Sequence, residues 1–289
     1  MAGSWHIGVI GGSGLSSGLD LDHAQTIEVA SPFGLPSGAV TTGTLEGVRF
    51  TFLPRHGPGH AIPPAKVNYR ANIDVLKRCG VTDVIALSAI GSLNPAMAPG
   101  HFVTIDQFID RTTSRANSFF GPGLVAHVSL ADPVCPRLAA ALAEAARQED
   151  AVVHPAGCYI AIEGPQFSTR AESRLYRGWG ADVIGMTALP EARLAREAEL
   201  PYALLGMVTD YDSWREVGED VDAADVVRVM HRNIDLGRRV IARFARLLPA
   251  HRGASPIDHA LDNAIMTARE ARDPALVARL HAVAGRVLG

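Results

Sequence analysis

The stretch Tyr-Ala-Leu-Leu-Gly-Met-Val-Thr-Asp-Tyr-Asp, residues 202–212, decides the fold class of this chain. Its first seven residues carry no charge and follow Pro201, a pattern typical of a strand buried on both faces in the parallel sheet of an α/β protein. Asp210 and Asp212 then fall where that strand ends. Because alternate side chains of an extended chain share a face, both carboxyl groups can point into one pocket while Tyr211 faces away. Ligands bind beyond the carboxyl ends of such strands, so this pair is a candidate site; the alternative is an acidic turn in which Asp212 caps a helix.

The composition limits the class of protein and the kind of partner. The 289 residues are 47% hydrophobic and 20% charged, as in an ordinary globular protein of one large or two small domains. The net charge of -3, with basic residues scattered rather than in a block, argues against nucleic-acid binding, so small ligands are the expected partners.

The cysteines and the apolar runs indicate in which cellular compartment the protein is expected. The three cysteines are odd in number and far apart, which suggests neither a disulfide framework nor a zinc cluster and fits a reducing cytoplasm. No uninterrupted apolar run approaches the ~20 residues of a membrane span, and the first residues lack a basic n-region. We therefore expect neither a membrane anchor nor a secretion signal.

Two polar segments that follow predicted strands indicate an anion site. The strand at 7–10 runs into Gly-Gly-Ser-Gly at 11–14, where backbone N–H groups and the Ser13 hydroxyl can approach a phosphate, although a plain tight turn explains the glycines equally well. The dinucleotide fingerprint fails, because Ser17 stands where its third glycine belongs. A hairpin predicted at 40–53 is followed by Arg55 and His56, which can both donate hydrogen bonds to an anion. The alternative is that both are ordinary surface residues that bind no ligand.

Two later strand ends extend the anion-site hypothesis. The strand predicted at 83–88 leads to Ser88 and the Ala89 amide, which would complete an anion cradle unless Ser88 only satisfies a buried strand end. The strand predicted at 182–186 ends in Thr187, just before a helix, so backbone and hydroxyl donors are exposed there.

Other segments suggest a pocket for a flat base. A strand predicted at 157–163 opens into Phe167 and Ser168, which can stack on a base and hydrogen-bond to its edge; core packing is the alternative for Phe167. His127 lies in the apolar patch 124–130 and is interpreted as a structural histidine unless a neighbouring subunit's site lies nearby.

The remaining pattern predicts one domain over 1–250 and a helical C-terminal extension over 251–289 that packs on the same domain or on a neighbouring subunit. Helices are predicted at 65–79, 133–147, 170–179, 191–198, 223–248, 257–268 and 274–288, and a polar loop at 106–120.

Taken together, several motifs resemble those of one family. They are Ile-Gly-Gly-Ser-Gly-Leu at 10–15, Arg-His-Gly at 55–57, Val-Asn-Tyr at 67–69, Asp-Gln-Phe-Ile-Asp-Arg-Thr-Thr at 106–113, Glu-Gly-Pro-Gln-Phe-Ser at 163–168 and Thr-Asp-Tyr-Asp at 209–212. The chain thus resembles the 5′-methylthioadenosine phosphorylases, which are purine nucleoside phosphorylases of the trimeric type. The resemblance implies a single-domain, nucleoside phosphorylase-like α/β fold with a mixed central sheet flanked by helices, and a homotrimer with sites near subunit interfaces.

The implied reaction is phosphorolysis of S-methyl-5′-thioadenosine to adenine and 5-methylthioribose 1-phosphate, a step of purine and methionine salvage. Inorganic phosphate is the co-substrate, and neither a metal nor an organic cofactor is implied. A phosphorylase for 6-oxopurine nucleosides or methylthioinosine, and a non-catalytic nucleotide-binding protein, remain as alternatives.

The resemblance also implies a role for each candidate residue. The phosphate site would consist of Ser13, Arg55, His56, Ser88, Ala89 and Thr187, and the substrate site of Phe167, Ser168, Met186 under the ribose, Asp210, Tyr211, Asp212 and a neighbour's His127. Asp210 would be the general acid at purine N7, with its pKa raised by burial and by Asp212. Two departures are visible, since members of the family often carry Cys where this chain has Ile90 and Asn where it has Gly185.

Overall fold

The computed structural model describes residues 3–12, 15, 19–215 and 223–289, with the backbone alone at 223–227, 230 and 231. In this part of the chain one 11-stranded sheet is flanked by helices, which confirms the α/β class. The strands are β1 (His6–Gly11), β2 (Asp22–Ile27), β3 (Val40–Leu45), β4 (Val48–Pro54), β5 (Asp83–Ser92), β6 (Phe102–Thr104), β7 (Gln107–Asp110), β8 (Val153–His154), β9 (Cys158–Ala161), β10 (Val183–Gly185) and β11 (Tyr202–Asp210). The helices are α1 (Tyr69–Arg78), α2 (Pro136–Gln148), α3 (Arg170–Gly178), α4 (Ala188–Glu197), α5 (Ala223–Leu247), α6 (Pro274–Arg279) and α7 (His281–Leu288). No described helix is both long and apolar enough to cross a bilayer.

The sheet is mixed, as predicted, and its parallel centre aligns several strand ends. β1 pairs in parallel with β4 and β5, and β11 pairs in parallel with β5. β10 runs antiparallel to β5, and β6 runs antiparallel to β11. The carboxyl ends of β1, β4, β5 and β11 therefore meet at one edge, where ligands of α/β sheets bind.

Strand β11 lies between two helical layers, which explains its uninterrupted apolar sequence. Leu204 and Val208 pack with α1 and α4, whereas Leu205 and Met207 pack with α2 and α5. Alternate residues of one strand thus face opposite layers, and each fully buried side chain of this size contributes on the order of 2 kcal/mol. The prediction of a strand buried on both faces is confirmed, with β11 extending to Asp210.

Three described strands escape the sequence patterns: the two-residue β8, which pairs in parallel with β6, and the longer β2 and β7. All six residues of β2 are exposed, so no alternation of apolar and polar residues marks it. β7 falls inside the segment predicted as a loop, and that prediction is wrong for Gln107–Asp110, which pairs in parallel with β9. Pairing with a neighbouring strand, rather than local hydrophobicity, specifies both elements.

The predicted helix at 257–268 is also wrong. A short 3₁₀ turn at Pro256–His259, capped by Ser255, replaces it, and irregular chain follows. Leu261 and Ala264 nevertheless belong to the same core as α1 and α4. Glu199 accepts hydrogen bonds from the Leu261 N–H at 2.9 Å and from Arg286 Nε at 2.8 Å, so the extension packs on its own chain.

Candidate active site

The ends of β1 and β4 lie side by side and position the first anion-binding candidates. Gly11 is in register with Pro54, and the Arg55 N–H donates to the Gly11 carbonyl at 2.9 Å. This bond places Arg55 directly beside Gly11. Ser13 lies outside the described residues, so its role in the anion site stays a prediction.

The guanidinium of Arg55 is buried and largely satisfied within the protein. Its Nε and Nη2 donate to the carboxylate of Glu191 at 2.8 and 2.9 Å, and further bonds reach the carbonyls of Leu87 and Ile10 at 3.1 and 3.4 Å. Burial alone would lower the pKa of Arg55, but the Glu191 carboxylate raises it above its usual value. The paired hydrogen bonds that Arg55 was predicted to make to a bound anion are therefore made to the Glu191 carboxylate. Since arginine has five N–H donors, these bonds within the described chain leave one, on Nη1, for a ligand.

His56 presents a neutral ring. Burial, followed by the charge of Arg55, lowers the pKa of His56 to about 4. Its Nδ1–H donates to the Ile62 carbonyl at 2.8 Å, and His60 stacks on the ring with centroids 4.1 Å apart. The nitrogen left for a ligand is Nε2, which in this tautomer accepts a hydrogen bond rather than donating one.

Two hydroxyl groups from distant parts of the chain meet beside the middle of β5, which continues to Ser92, four residues past the predicted strand end at Ser88. Ser88 Oγ lies 3.2 Å from Thr187 Oγ1, and both residues are buried. Ala89 is the one residue of β5 that is partly exposed, so the strand opens towards solvent at this point. Ile90 follows and fills the space above Gly206, where a Cβ would lie 2.2 Å from its Cδ1, so this departure is a change of packing.

Arg115 organises the floor of the site and was missed by the sequence analysis. Its Nη1 donates to the carbonyls of Met186 and Leu189 at 2.5 and 2.8 Å, and its Nη2 donates to those of Ile162 and Glu163 at 3.2 and 2.8 Å. The side chain is only 2% exposed. Arg115 thus ties the chain at Met186 and Leu189 to the segment at Ile162 and Glu163. It lies two residues beyond the motif at 106–113, in a segment whose polarity indicated only a loop.

Asp210 and Asp212 lie together at the end of β11, but the chain does not stay extended between them. Tyr211 turns (φ -101°, ψ 24°) and Asp212 has a positive φ of 45°. Both aspartates face Gly91 of β5, where a Cβ would lie 2.9 Å from Asp210 Oδ1 and 3.5 Å from Asp212 Cβ. The predicted convergence is therefore reached through a turn. The alternative of a helix cap is not observed, because no side-chain cap begins the 3₁₀ turn at Asp212–Trp214.

The environment of Asp210 favours a proton on its carboxyl group. Burial raises the pKa of Asp210, while hydrogen bonds from the Thr209 hydroxyl at 2.7 Å and the Asp212 N–H at 2.8 Å oppose that shift. These two bonds also fix the orientation of the carboxyl group. A carboxyl with a raised pKa and a fixed orientation is suited to general acid catalysis.

Asp212 lies among buried polar atoms that have no partner. Asp212 Oδ2, Ser168 Oγ and Ser173 Oγ are all buried without a hydrogen bond among the described residues. Burial raises the pKa of Asp212, and both serine hydroxyls face it closely enough to oppose that rise without reaching hydrogen-bond geometry. Buried polar groups normally have partners, so this cluster is suited to binding a polar ligand. Ser173, which lies inside α3, carried no signal in the sequence.

Phe167 and Tyr211 differ in what they can offer a base. Phe167 is 48% exposed, so the alternative that assigned it to the core is wrong. The ring of Tyr211 packs edge-on against Trp214 and lies 3.6 Å from the guanidinium carbon of Arg215. The exposed ring of Phe167 is free of the core, and both base stacking by Phe167 and substrate binding by Tyr211 stay predictions.

His127 is exposed, which contradicts the interpretation of a buried structural histidine. The backbone N–H of His127 donates to the Ala264 carbonyl at 2.8 Å. The nearby side chains of Val125 and Met266 are 40% and 53% exposed. The three residues thus form an exposed patch that joins the 121–130 segment to the extension. Among the described residues, no group of three or more His, Cys, Asp and Glu side chains could hold a metal ion.

The sequence profile described as "Phosphorylase superfamily" matches residues 6–246. The S-methyl-5′-thioadenosine phosphorylases of Cereibacter sphaeroides and Bradyrhizobium diazoefficiens are 55% and 52% identical to this chain, with 98% of each chain covered.

Solved structures agree with these relatives. A methylthioadenosine phosphorylase from an antarctic soil metagenomic library has a TM-score of 0.92 and 43% identity over 97% of this chain and 99% of its own. The methylthioadenosine phosphorylase of Schistosoma mansoni in complex with adenine has a TM-score of 0.81 and 37% identity over 84% of this chain and 92% of its own.

Proposed function

Since this chain belongs to the phosphorylase superfamily, we propose that it catalyses the phosphorolysis of S-methyl-5′-thioadenosine to adenine and 5-methylthioribose 1-phosphate. Inorganic phosphate is the co-substrate, and the reaction draws on no metal or organic cofactor. This is the reaction that the motif resemblance implied, and it places the protein in purine and methionine salvage.

One observation carries the proposal: β5 joins two chemically different halves of one site. Ser88 meets Thr187 in the half that we call the anion half, which also contains Arg55. Three residues further, Gly91 faces Asp210 and Asp212 in the purine half. Three residues of a strand span about 10 Å, a distance that a nucleoside with an attacking phosphate can bridge.

In the anion half, the Ser88 and Thr187 hydroxyls, the Ala89 amide, the remaining N–H of Arg55 and Ser13 hold the phosphate. As the bond from purine N9 to C1′ breaks, positive charge develops on the sugar, and the negative phosphate stabilises that charge. A phosphate oxygen forms the new bond to C1′. Neutral His56 accepts a hydrogen bond at Nε2 from the P–OH group of a monoanionic phosphate, which orients the nucleophile.

In the purine half, the electron pair of the broken bond moves onto the base, and Asp210 transfers its proton to N7. Protonation makes adenine a better leaving group, which is why the raised pKa of Asp210 matters. Asp212 accepts a hydrogen bond from the 6-amino group, while Ser168 bonds to the edge of the base and Phe167 stacks on its face. Met186 lies under the ribose. A site that accepts from a 6-amino group disfavours a 6-oxo base.

We further propose that three copies assemble and that His127, with Val125 and Met266, closes the 5′ pocket of a neighbouring subunit. The exposure of these three side chains on one patch supports this assembly. The mass in solution would test it, and His127→Ala should raise KM for S-methyl-5′-thioadenosine while leaving KM for phosphate unchanged. The free thiols of Cys79, Cys135 and Cys158 are in keeping with a cytoplasmic location.

The deciding experiment measures adenine release by the purified protein from S-methyl-5′-thioadenosine, with and without phosphate. We expect adenine and the sugar 1-phosphate in equal amounts and only when phosphate is present. Release without phosphate would identify a nucleosidase. Adenosine, inosine and methylthioinosine should be compared under the same conditions: a higher kcat/KM for a 6-oxo substrate favours the alternative phosphorylase, and nucleotide binding without turnover favours a non-catalytic protein.

A further inference from the structure

The chain turns irregularly at the start of α4, in the anion half. Thr187 precedes the helix, yet its side chain makes no capping hydrogen bond, and Leu189 has the torsion angles of a strand (φ -119°, ψ 137°). Thr187 and Ala188 are buried, so their N–H groups need acceptors inside the protein. A capping threonine accepts from the N–H groups two or three residues further on, so the Thr187 hydroxyl cannot serve these two groups.

Tyr159 of β9 supplies the acceptor instead. The Thr187 N–H donates to Tyr159 Oη at 3.3 Å, and the Ala188 N–H also faces this oxygen and lowers the pKa of Tyr159 against the larger effect of burial. Tyr159 is fully buried, and its ring packs edge-on against Phe108 with centroids 5.8 Å apart. The hydroxyl is therefore held in one place by the core.

Gly185 is what allows the ring to reach this position. On the paired strands β9 and β10, Tyr159 lies opposite Val183, two residues before Gly185. A Cβ at Gly185 would lie 2.1 Å from Tyr159 Oη and 2.7 Å from its Cζ. Any larger residue would collide with a ring that cannot move, so Gly185 and Tyr159 depend on each other.

We infer that Tyr159 is a positioning residue for phosphate: it accepts the backbone N–H groups of Thr187 and Ala188 and thereby fixes the Thr187 hydroxyl beside Ser88, where the anion binds. The inference rests on the proposed function, because it assigns this hydroxyl to the phosphate of that reaction. Tyr159 does not touch the ligand, since none of its surface is exposed. Without the Tyr159 hydroxyl, the Thr187 backbone loses this anchor, and the Thr187 hydroxyl is no longer held in place in the anion half.

The test compares Tyr159→Phe and Gly185→Ala with Tyr176→Phe, which removes the hydroxyl of another buried tyrosine. For Tyr159→Phe we expect KM for phosphate and Kd for inorganic phosphate alone to rise roughly three- to tenfold, the effect of one lost hydrogen bond. KM for the nucleoside should stay within about twofold, because the contacts of the purine half are unchanged. Gly185→Ala should weaken phosphate binding at least as much, and Tyr176→Phe should not weaken it.

A double substitution distinguishes positioning from general packing. In a Tyr159→Leu background the shorter side chain no longer reaches Gly185, so Gly185→Ala should have a smaller effect on Kd for phosphate than in the wild type. A purely structural role of Tyr159 would lower the thermal midpoint without changing either constant for phosphate, and this result would overturn the inference. If the wild type binds phosphate but lacks phosphate-dependent turnover, the proposed function fails, while weaker phosphate binding by Tyr159→Phe would still support the positioning role.

Discussion

The anion half and the purine half of the site differ in how their buried polar groups are satisfied. In the anion half, Arg55 shares two hydrogen bonds with Glu191, whose Oε1 also accepts from Tyr202 Oη at 2.9 Å. In the purine half, Asp212 Oδ2 and Ser168 Oγ have no partner among the described residues. The arginine of the first half is largely satisfied within the protein, whereas the second half has unpaired donors and acceptors that a ligand could satisfy.

The difference has a physical reason. A buried guanidinium without a counter-charge is costly, so the protein neutralises Arg55 internally and leaves only one of its N–H groups for a ligand. Neutral serine hydroxyls cost less to bury unpaired, and a ligand can supply the partners that they and the Asp212 carboxyl group lack. Discrimination between bases should accordingly reside in the purine half, and the stability of the fold should depend more on the anion half.

The largest expected effect tests the purine half. Asp210→Asn cannot transfer a proton to N7, so kcat with S-methyl-5′-thioadenosine should fall on the order of 10²–10⁴-fold. Steady-state kinetics check this, and KM for phosphate should be unchanged. A 7-methylated purine nucleoside is the matched control, because its leaving group needs no proton: an equal loss of rate with this substrate would rule out the general acid role of Asp210.

The second effect tests the stability of the anion half. Glu191→Ala leaves Arg55 buried without its carboxylate, which should lower the free energy of unfolding by about 3–5 kcal/mol, measured by urea denaturation. The control is Glu46→Ala, which breaks the exposed ion pair with Arg246 and should leave the unfolding midpoint unchanged. Equal effects of the two substitutions would contradict the contrast between the halves.

The third effect concerns the choice of base. In Asp212→Asn the side-chain amide can donate as well as accept hydrogen bonds. Its N–H can therefore bond to the O6 oxygen of a 6-oxo base, which the carboxylate of the wild type cannot do. The ratio of kcat/KM for S-methyl-5′-thioadenosine over methylthioinosine should fall by roughly tenfold or more. An unchanged ratio would show that discrimination between the bases lies outside this half.

The smallest effect is a difference in the pH dependence of stability. The pKa of His56 is about 4 in the fold and 6.5 ordinarily, so the unfolded chain binds more protons between these values and stability rises with pH across that window. His56→Gln should remove on the order of 1–3 kcal/mol of that rise, as measured by urea unfolding from pH 4 to 7. The pKa of His6 is also lowered to about 4, but His6 is present in both the wild type and the variant and therefore does not contribute to the difference between them. Substitution of an exposed histidine, His251→Gln, serves as the control.

The purine half should show the opposite slope. The pKa values of Asp210 and Asp212 are raised above 3.8, so the fold binds more protons than the unfolded chain and stability falls as pH rises through that region. Replacing both residues by Asn should therefore make the rise in stability with pH steeper than in the wild type. A shallower rise would mean that neither pKa is raised.

Elements with a strong hydrophobic pattern could be predicted from the sequence. β11 and α2 are examples, because burial on one or two faces determines which residues they contain. β2, β7 and the irregular segment after Pro256–His259 could not be predicted, since pairing partners and distant contacts such as that of Glu199 with Leu261 specify them. Local pattern carries no record of these long-range bonds.

For the site, residues that follow strands were predictable because the ends of parallel strands share one edge. Asp210 was found in this way, and the structure brings it to that edge. Ser88 lies inside β5 and Thr187 follows the antiparallel β10, yet the structure brings their two hydroxyls together. Arg115 and Ser173 were not found, because neither a loop position nor one hydroxyl inside a helix carries a local signal. The resemblance to a family was confirmed by the comparisons, which do not test the individual residue roles.

By itself, the order of residues determined that a doubly buried strand delivers two aspartates to the edge of an α/β sheet, and which family the chain belongs to. Only the tertiary structure decided that the fork of Arg55 grips Glu191, that Asp212 turns towards unpaired serines, and that Tyr159 reaches Thr187 across Gly185. The reason is that apolar periodicity depends only on residues close in sequence, whereas hydrogen-bond partners are often groups that folding brings together from distant positions.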